Sequence, residues 1–216
     1  MVVSVVVSAL LLVVAYLFGS IPTGYIAGRY LKGIDIREHG SGSTGATNVL
    51  RTIGKGAAIA VLSVDLLKGA IPLILVNLVY RLGSTEILPT NWHSWLIIAI
   101  ALAAVIGHSK SIWLNFSGGK SVATTLGVLL VMNPVVALGS VIVFAISLAA
   151  SRIVSLSSIL AAVAVNVLMV ALHQPLPYLI FAGLAGAYVV LRHRANIQRL
   201  LSGTEPQIGQ ALSKNS

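Results

Sequence analysis

Three short polar stretches hold most of the side chains that could do chemistry in this chain of 216 residues. The first runs His39-Gly-Ser-Gly-Ser-Thr-Gly-Ala-Thr-Asn-Val-Leu-Arg51. Glycines 40, 42 and 45 let successive backbone N–H groups face one concavity, a setting that suits an anion. Ser41, Ser43, Thr44 and Thr47 add hydroxyls, and Arg51 adds a planar fork of donors matched to phosphate. A Gly/Ser-rich loop alone would serve equally as a flexible linker. A linker, however, has no need of Asn48 and Arg51 at i, i+3 on one helical face.

The second stretch is Asn115-Phe-Ser-Gly118-Gly119-Lys120-Ser121-Val-Ala-Thr124-Thr125, leading into an apolar helix. Glycines followed by Lys and Ser at a helix start offer free amides and a favourable dipole to negative charge. The spacing is not that of a P-loop, because Leu114 stands five residues before Gly119 where a glycine would be needed. General phosphate binding is the expectation; ATP hydrolysis is not. The third stretch runs from Leu191 to Glu205 and contains Arg192, His193, Asn196, Arg199 and Glu205. On one continuous helix Arg192, Asn196 and Arg199 would share a stripe, with His193 beside Asn196. A basic juxtamembrane helix gripping anionic lipid has the same charge pattern. It does not call for the His, Asn and Glu.

Only five acids accompany these clusters, and two of them are aspartates, Asp35 and Asp65. No carboxylate cage for Mg²⁺ can be assembled, so neither a metal nor a cofactor is expected, and no nucleic-acid partner either. There is no cysteine, which removes thiolate nucleophiles and disulfides. None of the five histidines is followed by Asp five residues on, so the His-x4-Asp acyltransferase pattern is missing. What remains is a site that can hold one or more phosphates and place a His, Ser or Asn nearby.

The elements that carry these loops must lie in a membrane. The chain is 57% hydrophobic and 9% charged, with a mean hydropathy of +0.97, whereas a soluble domain carries roughly 25% charge. Charge-free runs, cut at Asn133-Pro134 and at His173-Gln-Pro-Leu-Pro177, predict an all-α integral membrane protein of about seven transmembrane helices. The expected spans are 2–27, 56–80, 94–108, 120–132, 135–151, 154–172 and 176–192, the third and fourth being short. Residues 1–200 form one polytopic domain in this reading, and 201–216 a short polar tail. All of the 14 Lys and Arg except Lys68 and Arg81 fall on one face, which puts the N-terminus outside and the C-terminus in the cytoplasm. Asp65 and Lys68, at i, i+3 inside the second span, are expected to neutralise each other. His108 is expected to be an interfacial hydrogen-bonding residue, and Ser155, Ser157 and Ser158 to form a hydroxyl rim.

Several motifs in fixed order carry a resemblance. They are Gly19-Ser-Ile-Pro-Thr-Gly-Tyr25, the Gly40–Arg51 loop, Asp65-Leu-Leu-Lys68-Gly, Gly107-His108, Phe116-Ser-Gly-Gly-Lys120-Ser-Val-Ala-Thr124, and the segment from His193 to Glu205. Together they resemble the bacterial acyl-phosphate:glycerol-3-phosphate acyltransferases, the PlsY family, over most of the chain. The usual first loop of that family reads Gly-Ser-Gly-Asn, and Ser43 stands here in place of the Asn. The resemblance implies a multi-pass protein of the bacterial plasma membrane, seven spans, and a site on the cytoplasmic face. It implies acyl transfer from acyl phosphate to the 1-hydroxyl of glycerol 3-phosphate, giving lysophosphatidate and phosphate. By the same resemblance Ser41, Arg51, Lys120, His193 and Asn196 are the catalytic set. Ser43, Thr47, Asn48, Gly118, Gly119, Ser158, Arg199 and Glu205 would contact substrate. A monomer is expected, with direct displacement and no acyl-enzyme. The alternative from the residues alone is a small phosphate or organic-anion transporter, whose loops would form a selective entry.

Overall fold

A computed structural model describes residues 1–82 and 87–210. Ten α-helices follow in order among the described residues: α1 (Val2–Ser20), α2 (Thr23–Lys32), α3 (Ala46–Thr52), α4 (Lys55–Leu82), α5 (His93–Ser109), α6 (Val122–Met132), α7 (Pro134–Ser151), α8 (Val154–Ala171), α9 (Leu176–Arg192) and α10 (Arg194–Leu201). Single 3-10 turns at Ile36–Glu38, Thr90–Trp92 and Ile112–Leu114 complete the path. The basic residue expected at position 214 lies outside the described residues.

Five stretches are long and apolar enough to cross a bilayer: Val2–Lys32, Lys55–Leu82, Thr90–Ser109, Pro134–Ser151 and Val154–Ala171. A sixth is α9 taken together with α10, the two meeting at a bend of 60°. The fourth expected span, 120–132, is short, as the sequence suggested. Its helix α6 has 11 residues, a rise of about 16 Å against a hydrocarbon core of about 30 Å. By length alone it falls short of that thickness. The chain is an all-α integral membrane protein.

Proline marks several of the breaks. The expected first span, 2–27, is interrupted because Pro22 pushes Ile21 out of helical geometry (φ −53°, ψ 118°), and α2 restarts at Thr23. The cut at Asn133-Pro134 falls where the sequence puts it. Asn133 Oδ1 accepts from the Val136 N–H at 3.0 Å, capping α7, while Pro134 takes the first helical position. Pro175 precedes α9 in the same manner.

Packing between helices depends on small residues at reciprocal positions. A Cβ on Gly19 would strike the Ala104 carbonyl and one on Gly107 the Tyr16 carbonyl, so α1 and α5 approach to backbone contact. Gly69 lies against the Thr124 carbonyl and Gly127 against that of Leu66, which joins α4 to α6 in the same way. Close approach of this kind drives helix association where lipid removes the hydrophobic force. The main core gathers Leu73, Val76, Ile97, Ile100, Val128, Leu129, Met169 and Phe181. A smaller cluster of Ile36, Val49, Ala58 and Val61 supports the first polar loop. Val6, Leu10 and Val13 on α1, with Leu138, Ile142 and Ile146 on α7, are exposed, as lipid-facing residues must be.

Candidate active site

The first polar loop is tied by one side chain. Asn48, on α3, is 1% exposed. Its Nδ2 donates to the carbonyls of Ile36 (3.2 Å), His39 (2.9 Å) and Ser43 (2.9 Å), and its Oδ1 accepts from the Ser41 N–H at 2.9 Å. The amide is thereby committed to shaping the loop. Gly40 and Gly42 turn there with positive φ, 58° and 69°, and a Cβ on Gly40 would strike Asn48 Oδ1. Ser43 Oγ accepts from the Gly45 N–H at 3.3 Å, a short local turn that a hydroxyl makes readily. Ser41 is exposed and Thr47 half-buried on this loop. At its base Arg37 grips Asp35 at 2.7 Å, and that hydrogen bond is the main cause of the carboxyl falling to about 2, against the opposing pull of burial. The same guanidinium reaches Ser117 Oγ at 3.5 Å, linking the first loop to the second.

The second loop is held from two sides. Arg192 donates to the carbonyls of Gly118 (3.2 Å) and Gly119 (3.1 Å), and the Gly119 N–H donates to the His108 carbonyl at 3.2 Å. The expected stripe of Arg192, Asn196 and Arg199 does not exist, because the chain bends at His193 and puts Arg192 on a different helix from the other two. That bend frees Arg192 to clamp the glycine loop. Lys120 then extends to Asn196, Nζ to Oδ1, 2.5 Å. Burial is the leading cause that lowers its pKa to about 8; Glu205 opposes the fall, while Arg199, Arg51 and Arg192 add to it.

The third cluster supplies the balancing acid. Glu205 Oε1 accepts from Asn196 Nδ2 (2.6 Å) and Ser155 Oγ (2.7 Å), and Oε2 accepts from Arg199 Nε (2.7 Å). Burial would raise the carboxyl, but these three bonds outweigh it and hold Glu205 below its ordinary range. The Ile208 N–H, donating to the Arg152 carbonyl at 2.8 Å, fastens the segment across the α7–α8 turn. Arg51 is half-buried in the field of Arg199 and Glu205, with its pKa lowered chiefly by desolvation. Among the described residues it donates no side-chain hydrogen bond. His193 is 3% exposed, with Nδ1 at 2.7 Å from the Val189 carbonyl. That contact makes Nδ1 the protonated nitrogen and leaves the Nε2 lone pair free.

Arg51, Lys120, His193, Asn196, Arg199 and Glu205 therefore converge from all three polar stretches, with Gly118 and Gly119 beneath Lys120. Ser158 turns its hydroxyl to the Val154 carbonyl at 2.8 Å; of the serine rim, Ser155 is the one that reaches Glu205. Arg192 had no assigned role in the sequence reading beyond its stripe, since a cation at the end of a span looks like any membrane anchor. No group of metal-ligating side chains occurs among the described residues.

Arranged this way, a cationic cluster with one neutralised acid on an all-helical membrane scaffold defines an anion-handling membrane protein. The chain belongs to the glycerol-3-phosphate acyltransferase family, whose model matches residues 9–203. The glycerol-3-phosphate acyltransferase of Crocosphaera subtropica is 63% identical over 208 residues, 96% of this chain and 97% of that one. That of Rippkaea orientalis is 60% identical over 210 residues, 97% of each. Among solved structures, PlsY, an integral membrane glycerol 3-phosphate acyltransferase, superposes in its glycerol 3-phosphate form with a TM-score of 0.84 at 39% identity, covering 94% of this chain and 96% of that one. Its lysophosphatidic acid form gives 0.81 at 38% identity, over 94% and 95%.

Proposed function

We propose that this chain transfers a fatty acyl group from acyl phosphate to the 1-hydroxyl of glycerol 3-phosphate, at the cytoplasmic face of a bacterial plasma membrane. The observation that carries this reading is the convergence of Lys120 and Arg51 beside His193, with the nearby Glu205 already satisfied by Asn196, Ser155 and Arg199. Cations left over after that pairing are what two phosphates brought together would require. The family relationship supports the glycerol 3-phosphate half of the reaction, and the chemistry of the site favours acyl phosphate for the other half.

Acyl phosphate is a mixed anhydride with a good leaving group, so the protein needs to place and neutralise more than to attack. The glycerol oxygen bonds to the acyl carbon, the bond from that carbon to the phosphate oxygen breaks, and phosphate departs. The hydroxyl proton passes to His193 Nε2 or to the leaving phosphate. Ser41 and Thr47, on the rim, offer donors to the substrate. A shallow apolar groove between α6, α8 and α9, lined by Thr125, Val165, Phe181, Ala185 and Val189, runs towards the Val189 carbonyl that His193 contacts, and offers the acyl chain an apolar wall. The protein acts as a monomer without metal.

The test is purified protein in detergent with radiolabelled glycerol 3-phosphate and, separately, acyl phosphate, acyl-CoA and acyl carrier protein thioester. Product from acyl phosphate alone supports the proposal; product from a thioester alone overturns it. Trapping an acyl-Ser or acyl-His adduct on the protein would overturn direct displacement.

A further inference from the structure

Beneath the Gly118–Lys120 loop lies a buried polar cluster, none of whose own side chains was assigned to substrate. Lys68 is 1% exposed. Its Nζ donates to Asp65 Oδ1 (2.6 Å), to the Ile21 carbonyl (2.5 Å) and to Thr23 Oγ1 (3.0 Å), and Thr23 Oγ1 donates to the same carboxylate oxygen at 2.5 Å. All three ammonium hydrogens have acceptors, so the pair is fixed in place. His108, 7% exposed, turns Nδ1 toward that oxygen at 3.6 Å.

This orientation leaves the opposite edge of the imidazole facing the loop. A Cβ on Gly119 would run into Nε2, Cε1 and Cδ2 of His108, so the ring is the floor on which the glycine backbone rests. The backbone bond from Gly119 to the His108 carbonyl lies alongside, and Ser109 Oγ meets Ser121 Oγ at 2.5 Å just beyond. Arg192 presses on the same two glycines from the other side. The ion pair also reaches the first loop, because Thr23 opens α2 and Gly24 of that helix packs on the Thr44 carbonyl.

We propose that His108 is a positioning residue: seated on the Asp65–Lys68 pair, its imidazole edge sets the height of Gly119 and so the placement of Lys120 against a substrate phosphate. It does not itself touch substrate. The inference rests on the acyltransferase reading above. A displaced loop costs phosphate contact first, so the effect falls on the KM for the phosphate held there, taken here as glycerol 3-phosphate.

Two substitutions separate the floor from the anchor. In His108→Asn the amide overlays the Nδ1 end and keeps the group facing Asp65, but the edge under Gly119 is gone. In His108→Gln the amide reaches where Nε2 stood. Steady-state kinetics on detergent-purified protein, with the thermal midpoint recorded for each variant, should show His108→Asn raising the KM for glycerol 3-phosphate about tenfold or more, with kcat within about threefold of the parent. His108→Gln should return that KM to within about threefold. The proposal is overturned if the Asn variant keeps the parental KM, or if Asn and Gln behave alike. It is also overturned if kcat, both KM values and the thermal midpoint deteriorate together, as for a residue that merely fills space. Should His108→Asn not fold, Gly119→Ala attacks the same contact from the loop, and an unchanged KM there overturns it equally. The unsubstituted protein in the same assay reports separately on the acyl-phosphate reading: if it turns over no acyl phosphate, that reading fails, whatever the variants do.

Discussion

Lys120 and Asn196, 76 residues apart in the chain, are joined by a 2.5 Å bond from Nζ to Oδ1. The other end of the same amide donates to Glu205. Asn196 thus fixes the ammonium without neutralising it, since an amide oxygen accepts a hydrogen bond but carries no charge. A carboxylate in that place would cancel the charge that a phosphate needs. Asn196→Asp should accordingly lose about as much kcat/KM as Asn196→Ala, each about 10²-fold or more, as measured with acyl phosphate as donor. Retention of activity in the Asp variant would contradict this.

The depressed pKa of Lys120, about 8, gives the pH profile a direction. Above that value the free protein loses the ammonium, so kcat/KM should fall by about tenfold per pH unit on the alkaline side. Lys120→Arg, which stays charged, should be slower but lack that limb. The stability sign is opposite. The folded pKa lies below the ordinary 10.5, so the charged form is penalised on folding below about pH 8, and that penalty is relieved as pH climbs from about 8 towards 10.5.

Asn48 should tolerate no replacement that lacks its donors. Asn48→Asp would aim a carboxylate at the carbonyls of Ile36, His39 and Ser43, leaving three buried acceptors unpaired at about 1–3 kcal/mol each. Thermal unfolding of the Asp and Ala variants should show the Asp variant at least as destabilised, together with loss of turnover.

The glycine seams give a paired test of stability. Gly127→Ala adds a Cβ against the Leu66 carbonyl, a backbone atom that cannot swing away, and should cost about 1–3 kcal/mol. Gly183→Ala, where nothing lies within 4 Å, should be neutral or stabilising by up to about 1 kcal/mol, through helix propensity. Unfolding followed by circular dichroism in detergent compares the two.

Removing half of the buried ion pair should be worse than removing all of it. Lys68→Met leaves Asp65 charged and unmatched, at about 3–5 kcal/mol. The combined Lys68→Met and Asp65→Asn change should recover part of that loss in the same measurement.

Much of this architecture was legible in the residue order because its causes are local. Charge-free runs and prolines fix where helices run and stop, and the i, i+3 spacing of Asp65 and Lys68 announces their pairing. The break at Ile21-Pro22 was readable in principle, yet an apolar run of 27 residues hides it behind hydropathy. The bend at His193 was not readable, because no proline or glycine marks it. The contacts on either side of it are tertiary: Arg192 reaches the carbonyls of Gly118 and Gly119, and Asn196 meets Lys120. Arg192 and His108 escaped notice as loop supports for a related reason. Their contacts are with backbone atoms of Gly118 and Gly119, and no pattern of side-chain types encodes a partner that is a peptide group.

Glu205 follows α10, the last helix among the described residues, yet it supplies the counter-charge for Arg199 and the tether for Asn196. During biosynthesis the cationic loops reach the interface long before that carboxylate does. Until it folds back, Arg37 has Asp35 for a partner, but Arg51 and Lys120 lack the acid that offsets their charge, and anionic lipid headgroups can take its place. The balance of charge around Lys120 would thus be completed late, only when the segment after α10 has folded back.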